Sequence, residues 1–271
     1  MSVRVAVAGA GGRMGQALIE ATLAQPDLSL SAALDVADSP LVGRDAGERI
    51  GRRTNVNVSA DVAAALRASD VLIDFTRPEG TLAHAAACEK HGVGLVAGTT
   101  GLDAAQKAAL AAYGRSIAIV FAPNMSVGVN VLVKLVELAT SRLGPAYDIE
   151  VVEMHHRHKV DAPSGTALLL GEAAARAREI SLDDAAVYAR EGTTGARRTG
   201  AIGFAALRGG DVVGEHTVIY AADGERVELT HRATSRQTFA GGALRAARFV
   251  AQRRAAGETG WYDMTDVLAL K

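Results

Sequence analysis

At 271 residues and 49% apolar, the chain is long enough to bury two cores. Its 29 basic and 30 acidic residues, a net charge of −1, lack the basic excess of a general nucleic-acid binder, and a single cysteine, Cys88, excludes an intramolecular disulfide. No apolar run approaches the ~18 residues that span a bilayer, and no signal-peptide stretch opens the chain, so the expectation is a soluble, cytoplasmic protein that engages neither membrane nor nucleic acid.

In chain order, Val3 to Ala8 is a short β-branched run, followed by Gly9-Ala10-Gly11-Gly12-Arg13-Met14-Gly15 and a helical stretch from Gln16 to Ala24. Strand, glycine turn and helix form the first unit of a dinucleotide-binding fold, although strict G-x-G-x-x-G spacing would require glycine where Met14 sits. The context compensates, because a bare backbone at a helix N-terminus is what a pyrophosphate needs. A second strand, Leu28 to Leu34, ends in Asp35, at the distance where an acidic residue accepts hydrogen bonds from the adenosine ribose. Ala37 to Ser59 has no clear period and is expected to be mostly loop. Asp61 to Ala68 predicts a short helix, Val71 to Phe75 a buried strand, Thr76 to Gly80 a turn, and Thr81 to His91 a helix. Val93 to Ala97 is a strand leading into Gly98-Thr99-Thr100-Gly101, Leu102 to Tyr113 a helix, and Ile117 to Phe121 a strand leading into Ala122-Pro123-Asn124-Met125. Alternating strands and helices imply a Rossmann-type doubly wound parallel sheet, with both loops at its crevice.

A helix from Val127 to about Leu143, stopped by Gly144-Pro145, follows the last strand of the sheet and opens a second, α+β domain. Its expected elements are a strand Asp148 to Met154, a helix Gly165 to Arg178, and strands Ala185 to Arg190, Gly200 to Arg208, Glu215 to Ala221 and Arg226 to His231 in a mainly antiparallel sheet. A final helix, Thr238 to Arg254, precedes Gly260-Trp261-Tyr262. The domains are thus residues 1–126, completed by 238–271, and 127–237.

One stretch concentrates the chemistry: Glu153-Met154-His155-His156-Arg157-His158-Lys159-Val160-Asp161-Ala162-Pro163-Ser164-Gly165-Thr166. Unpaired cations are costly in an apolar interior, so the segment is expected to face water or a ligand. Its cations and the amides of the helix that it opens would converge on something anionic. Histidine, with an ordinary pKa of ~6.5, suits proton transfer, and lysine suits neutralising a carboxylate. His156, Arg157 and His158 would alternate in direction if the strand continued, with Arg157 the weakest candidate. Zinc is not expected, since no H-E-x-x-H or C-x-x-C motif is present. Cys88 reads as a small buried hydrophobe, which weighs against a thiolate-dependent aldehyde dehydrogenase. Arg190, Arg208, Arg232 and Arg236 read mostly as surface or interface charges.

With these motifs and Asp74-Phe75-Thr76-Arg77-Pro78, the chain resembles the 4-hydroxy-tetrahydrodipicolinate (dihydrodipicolinate) reductases over nearly its whole length. The resemblance implies NAD(P)H-dependent reduction of a small cyclic dicarboxylate in the diaminopimelate route to lysine. It further implies His155 as proton donor, Lys159 as second donor and substrate ligand, His156 as a substrate contact, and Gly165 with Thr166 as anion-binding amides. For the cofactor it implies Gly9, Ala10, Gly11, Gly12, Arg13, Met14, Asp35, Gly98, Thr99, Thr100, Ala122, Pro123, Asn124 and Met125, and for the assembly a homotetramer built through the second domain. Some members carry arginine directly after the ribose-reading acid, where this chain has Val36, so NADH is expected to serve at least comparably to NADPH. The alternatives are a dinucleotide-binding sensor without turnover, which would not need the histidine cluster, and a dehydrogenase of another small acid.

Overall fold

The apolar run at the N-terminus is an interior strand of a seven-stranded sheet in the computed structural model, which describes residues 2–270. The first part of the chain runs β1 (Val3–Ala8), α1 (Arg13–Leu23), β2 (Leu28–Leu34), β3 (Val58–Ser59), α2 (Val62–Arg67), β4 (Val71–Asp74), α3 (Pro78–His91), β5 (Gly94–Ala97), α4 (Ala104–Ala112) and β6 (Ala118–Phe121). It continues with α5 (Val127–Leu143), β7 (Asp148–His155), α6 (Gly165–Ala177), α7 (Leu182–Ala185), β8 (Ala186–Val187), β9 (Ile202–Arg208), β10 (Gly214–Ala222) and β11 (Glu225–Ala233). The last elements are α8 (Gln237–Ala255), β12 (Gly260–Tyr262) and α9 (Met264–Val267). Two compact units result, one running to Val127 and resuming at Arg236, the other Gly128–Ser235.

In the first unit the strand order is β12-β6-β5-β4-β1-β2-β3 and every pairing is parallel. Parallel strands are covered on both faces, which is why they read as unbroken apolar runs. Val5 and Val7 face one core with Leu18 and Ile19 of α1 and Ala243, Leu244 and Val250 of α8. Ala6 and Ala8 face the other with Leu66 of α2, Cys88 of α3 and Leu110 of α4. Each fully buried leucine, isoleucine or valine contributes roughly 1.5–3 kcal/mol relative to exposure. The order reverses between β1 and β4, so the loops after β1, β2, β4, β5 and β6 lie at the carboxyl edge, where such sheets bind ligands. Two local expectations shift. α3 starts at Pro78, whose fixed φ and missing N–H suit the first turn, and the loop 37–59 contains a 3₁₀ turn, Glu48–Ile50, as well as β3.

The second unit holds a five-stranded sheet in the order β11-β10-β7-β9-β8. β11, β10 and β7 are antiparallel, whereas β7, β9 and β8 run parallel, so the sheet is mixed rather than mainly antiparallel. The cause is the crossover through α6, which returns the chain alongside β7 in the same direction. The strand expected over Ala185 to Arg190 shrinks to β8, because Asp183 and Asp184 support a helical turn that takes Ala185, and Tyr188 then leaves the edge to stack on Phe204. One sheet face buries Ile149, Val151, Ile202, Phe204, Val218 and Tyr220 against Val136 of α5 and Leu170 of α6. The hydroxyl of Tyr220 is satisfied by Thr140 and the Val136 carbonyl.

Candidate functional site

In the first unit, Gly9 has φ +68, a left-handed conformation suited to glycine, and its carbonyl accepts from Gly12 N–H at 2.9 Å. A Cβ on Gly15 would stand 2.1 Å from the Gly9 carbonyl oxygen, so only glycine lets α1 start this close to β1. Gly12 caps α1 without a side-chain bond, and the first-turn amides at Arg13 and Met14 begin a helix whose positive end faces the loop. Gly11 N–H donates to Asp35 Oδ2 at 3.0 Å, Ser39 Oγ donates to the same oxygen at 3.1 Å, and Val36 N–H donates to Oδ1 at 2.9 Å. Glycine loop and Asp35 are therefore one hydrogen-bonded unit. Val36 is 65% exposed, and Arg49 Nη1 donates to the Gly11 carbonyl at 2.9 Å, a cation from the loop 37–59 that sequence reading did not connect to this site.

The other two loops divide between surface and core. A Cβ on Gly98 would collide with the Phe75 ring, and Thr99, 2% exposed, spends its hydroxyl on Thr81 at 2.6 Å. Thr100 and Pro123 are exposed, Asn124 accepts from Ser126 N–H at 2.9 Å, and Ala122 and Met125 are buried, Met125 within the core. The side chains of Thr99 and Met125 are thus committed to the interior. Bare glycine backbone, an uncapped helix start and a positioned aspartate fit a dinucleotide. Asp74, fully buried, bonds His84 Nδ1 and Thr76 N–H and fixes the turn after β4.

In the second unit, period-two alternation carries the site. β7 buries Ile149, Val151, Glu153 and His155 on one face; the first two join the apolar core and the last two extend it into a polar cluster. Register then sets Arg208 beside His155 and His216 beside Glu153. Glu153, 1% exposed, accepts from His155 Nδ1 at 2.6 Å, from Arg208 at 2.8 and 2.9 Å, and from Ser164 N–H at 3.1 Å. Burial pushes the Glu153 carboxyl up, but the hydrogen bonds of Arg208 and His155 outweigh it and hold it below the usual carboxylate range. Burial lowers His155 despite the carboxylate beside it, and lowers His216 to about 3. The segment expected to face water or a ligand exposes Arg157, His158, Val160, Asp161 and Ala162 but buries Glu153 and His155, and Arg208, read mostly as a surface or interface charge, is the counterion of that buried acid.

The strand ends at His155, so the expected alternation of the following residues does not occur. Arg157 and His158 are exposed in a turn, and His156 is half-buried with its Nδ1 inside the fold. Lys159 Nζ donates to both Asp161 carboxylate oxygens, at 2.8 and 2.9 Å. Ser164 Oγ caps α6 at Ala167 N–H, and Gly165 opens that helix with nothing within 4 Å of where a Cβ would stand, so a ligand can approach the backbone closely. Thr166 follows, half-buried. Cys88 is fully buried, and burial pushes its thiol far up, which makes it no nucleophile.

A glycine-loop nucleotide unit joined to a unit that holds a histidine on a buried carboxylate defines a pyridine-nucleotide oxidoreductase of the two-domain type. Residues 3–125 match the family "Dihydrodipicolinate reductase, N-terminus" and residues 128–268 match "Dihydrodipicolinate reductase, C-terminus". Over 269 residues the chain is 58% identical to the 4-hydroxy-tetrahydrodipicolinate reductase of Laribacter hongkongensis (strain HLHK9) and 55% identical to that of Herminiimonas arsenicoxydans, with 99% of each chain covered. A dipicolinate-bound dihydrodipicolinate reductase from Paenisporosarcina sp. TG-14 shares the fold at a TM-score of 0.75 and 23% identity, covering 98% of this chain and 99% of that one. The chain belongs to the dihydrodipicolinate reductase family and is an NAD(P)-dependent oxidoreductase.

Proposed function

We propose that the second unit binds a small cyclic dicarboxylate and protonates it through His155, in the reaction of the family: reduction of 4-hydroxy-tetrahydrodipicolinate to tetrahydrodipicolinate with loss of water, in the diaminopimelate route to lysine. The reaction follows from family membership and from near-full-length identity to relatives of that activity. The observation that supports His155 as donor is its place on a buried carboxylate at the end of β7. Lys159, released from Asp161, binds a substrate carboxylate and assists proton transfer, His156 contacts the substrate, and the amides of Gly165 and Thr166 receive the second carboxylate at the start of α6. The nicotinamide supplies the hydride when bound. Gly9 to Met14 would hold its pyrophosphate, Asp35 the adenosine ribose, and the backbone of Gly98 to Thr100 and Ala122 to Met125 the remainder.

NADH serves at least comparably to NADPH in this reading, because the residue that directly follows Asp35 is Val36 rather than an arginine. The chain assembles as a homotetramer through the second unit. The supporting observation is the sheet face opposite α5 and α6, where Val152, Met154 and Ile219 are half-buried and Leu207 is 50% exposed. Following nicotinamide absorbance with freshly generated 4-hydroxy-tetrahydrodipicolinate tests the reaction, and kcat/KM for the two cofactors tests the preference. A large preference for NADPH would overturn the latter.

A further inference from the structure

The assignment of His155 as donor leaves Glu153, a buried carboxylate that accepts four hydrogen bonds, without a task. We infer that Glu153, clamped by Arg208, is a positioning residue that fixes the tautomer of His155, so that Nε2 carries the exchangeable proton. The inference rests on the reading of His155 as proton donor and deepens it.

An ionised carboxylate offers about four acceptor positions. Oε2 of Glu153 takes His155 Nδ1 at 2.6 Å and Arg208 Nη1 at 2.8 Å, while Oε1 takes Arg208 Nη2 at 2.9 Å and Ser164 N–H at 3.1 Å. All four are filled, and three of the donors are guanidinium or backbone N–H groups that cannot accept a proton. Only His155 Nδ1 could take one from Glu153, and the bidentate guanidinium keeps the negative charge on the carboxylate. In neutral His155 the proton therefore sits on Nδ1, and Nε2 is the nitrogen left to gain and lose one. That nitrogen points past Gly214, where an added Cβ would stand 3.0 Å from it. Gly214 keeps the approach to Nε2 clear.

The groups around His155 are few. Lys159 and Arg208 are the cations, Asp161 is the counterion of Lys159, and His216 meets the ring edge-on at a centroid distance of 5.1 Å. His216 is occupied elsewhere. Ser164 Oγ accepts from Ala167 N–H and shares a 2.9 Å hydrogen bond with His216 Nε2, and burial keeps His216 neutral behind His155. Arg208 Nη2 also holds the Asp161 carbonyl at 2.6 Å, tying the same clamp to the loop that bears Lys159.

The test is the sign of two pH shifts together with the ring tautomer. Steady-state kinetics across pH would be measured for the wild type, Glu153→Gln, Arg208→Gln and Arg208→Lys, with ¹⁵N NMR of the His155 ring. Removing the anion disfavours the imidazolium, so in Glu153→Gln the high-pH limb of kcat/KM moves to lower pH, and kcat falls about 10²-fold or more with KM changed far less. Removing the cation while keeping Glu153 favours the imidazolium, so in Arg208→Gln the limb moves to higher pH, and Arg208→Lys restores it. The wild-type ring reads as Nδ1-protonated at high pH, and Glu153→Gln becomes a tautomer mixture. Limbs that both move the same way, or do not move, overturn the inference, as does a wild-type ring protonated on Nε2. A wild-type-like far-ultraviolet circular dichroism spectrum and cooperative thermal unfolding of the full chain report folding, and if Glu153→Gln does not fold, the Arg208 pair carries the sign test alone. An unchanged kcat in His155→Gln with the Nδ1 tautomer intact would instead remove the donor reading and leave the clamp standing.

Discussion

Gly214→Ala offers a sharp separation of packing from chemistry. Gly214 lies at the start of β10, paired with Ala233, and its φ is not left-handed, so alanine fits the backbone. The new methyl would stand 3.0 Å from His155 Nε2, 3.4 Å from its Cδ2 and 3.7 Å from His216 Cε1. The ring cannot swing away freely, since Nδ1 is tied to Glu153 at 2.6 Å. Overpacking by one methyl typically costs about 1–3 kcal/mol, and replacing a strand glycine returns about 0.5–1 kcal/mol, which leaves a net loss near 1 kcal/mol. The effect on rate should be larger than this suggests, because the contact falls on the nitrogen proposed to transfer the proton. A 1 Å misplacement costs ~10²-fold, so a few tenths of an ångström with partial blocking costs about 10-fold in kcat. Thermal unfolding and steady-state kinetics with saturating substrate measure the two effects on one preparation. A folded variant with wild-type kcat would show that Nε2 is not the atom that acts.

The buried histidines predict a pH dependence of stability. His216 has its folded pKa lowered to about 3 by burial, so the unfolded chain binds the proton first, and stability that is complete above ~6.5 is lost as pH falls towards the folded value. Glu153, also lowered, adds a loss of the same sign at more acid pH, below the ordinary carboxylate pKa. Denaturant unfolding from about pH 7 to about pH 5 should show falling stability in the wild type and a flatter profile in His216→Gln; equal slopes would refute the assignment. At the cofactor end, Arg49 is the cation hydrogen-bonded to the Gly11 carbonyl beside Asp35. Arg49→Leu should raise KM for NADPH about 10-fold while leaving KM for NADH nearly unchanged, since only the 2′-phosphate needs a countercharge there. Equal effects on both cofactors would assign Arg49 a structural role.

The nucleotide unit was legible because its signals are local. Val3 to Ala8 is a continuous apolar run, the glycine turn follows at once, and Asp35 ends the next strand, so each piece is read without knowing the rest of the fold. The second unit depends on pairings between distant strands. That β7 lies parallel to β9 is decided by the crossover through α6, and this register is what brings Arg208 to Glu153 across 55 residues. A signal was nevertheless present. Ile149, Val151, Glu153 and His155 occupy alternate positions of one strand, and so do Ile202, Phe204 and Arg208 in another, so a charge recurs on each core-facing row where an apolar residue would be expected. Pairing these rows identifies Glu153 and Arg208 as partners. Arg49 carries no comparable mark, for it lies in an aperiodic loop and reaches the glycine turn only once that loop folds back.

The central claim is that a hydride acceptor bound by this chain is protonated by His155, and its most direct test is NAD(P)H oxidation with freshly generated 4-hydroxy-tetrahydrodipicolinate by the wild type and His155→Gln. The account predicts an active wild type and a variant whose kcat falls about 10²- to 10⁴-fold with KM changed far less. A wild type that binds the cofactor without turnover, or a variant with unaltered kcat, would contradict it.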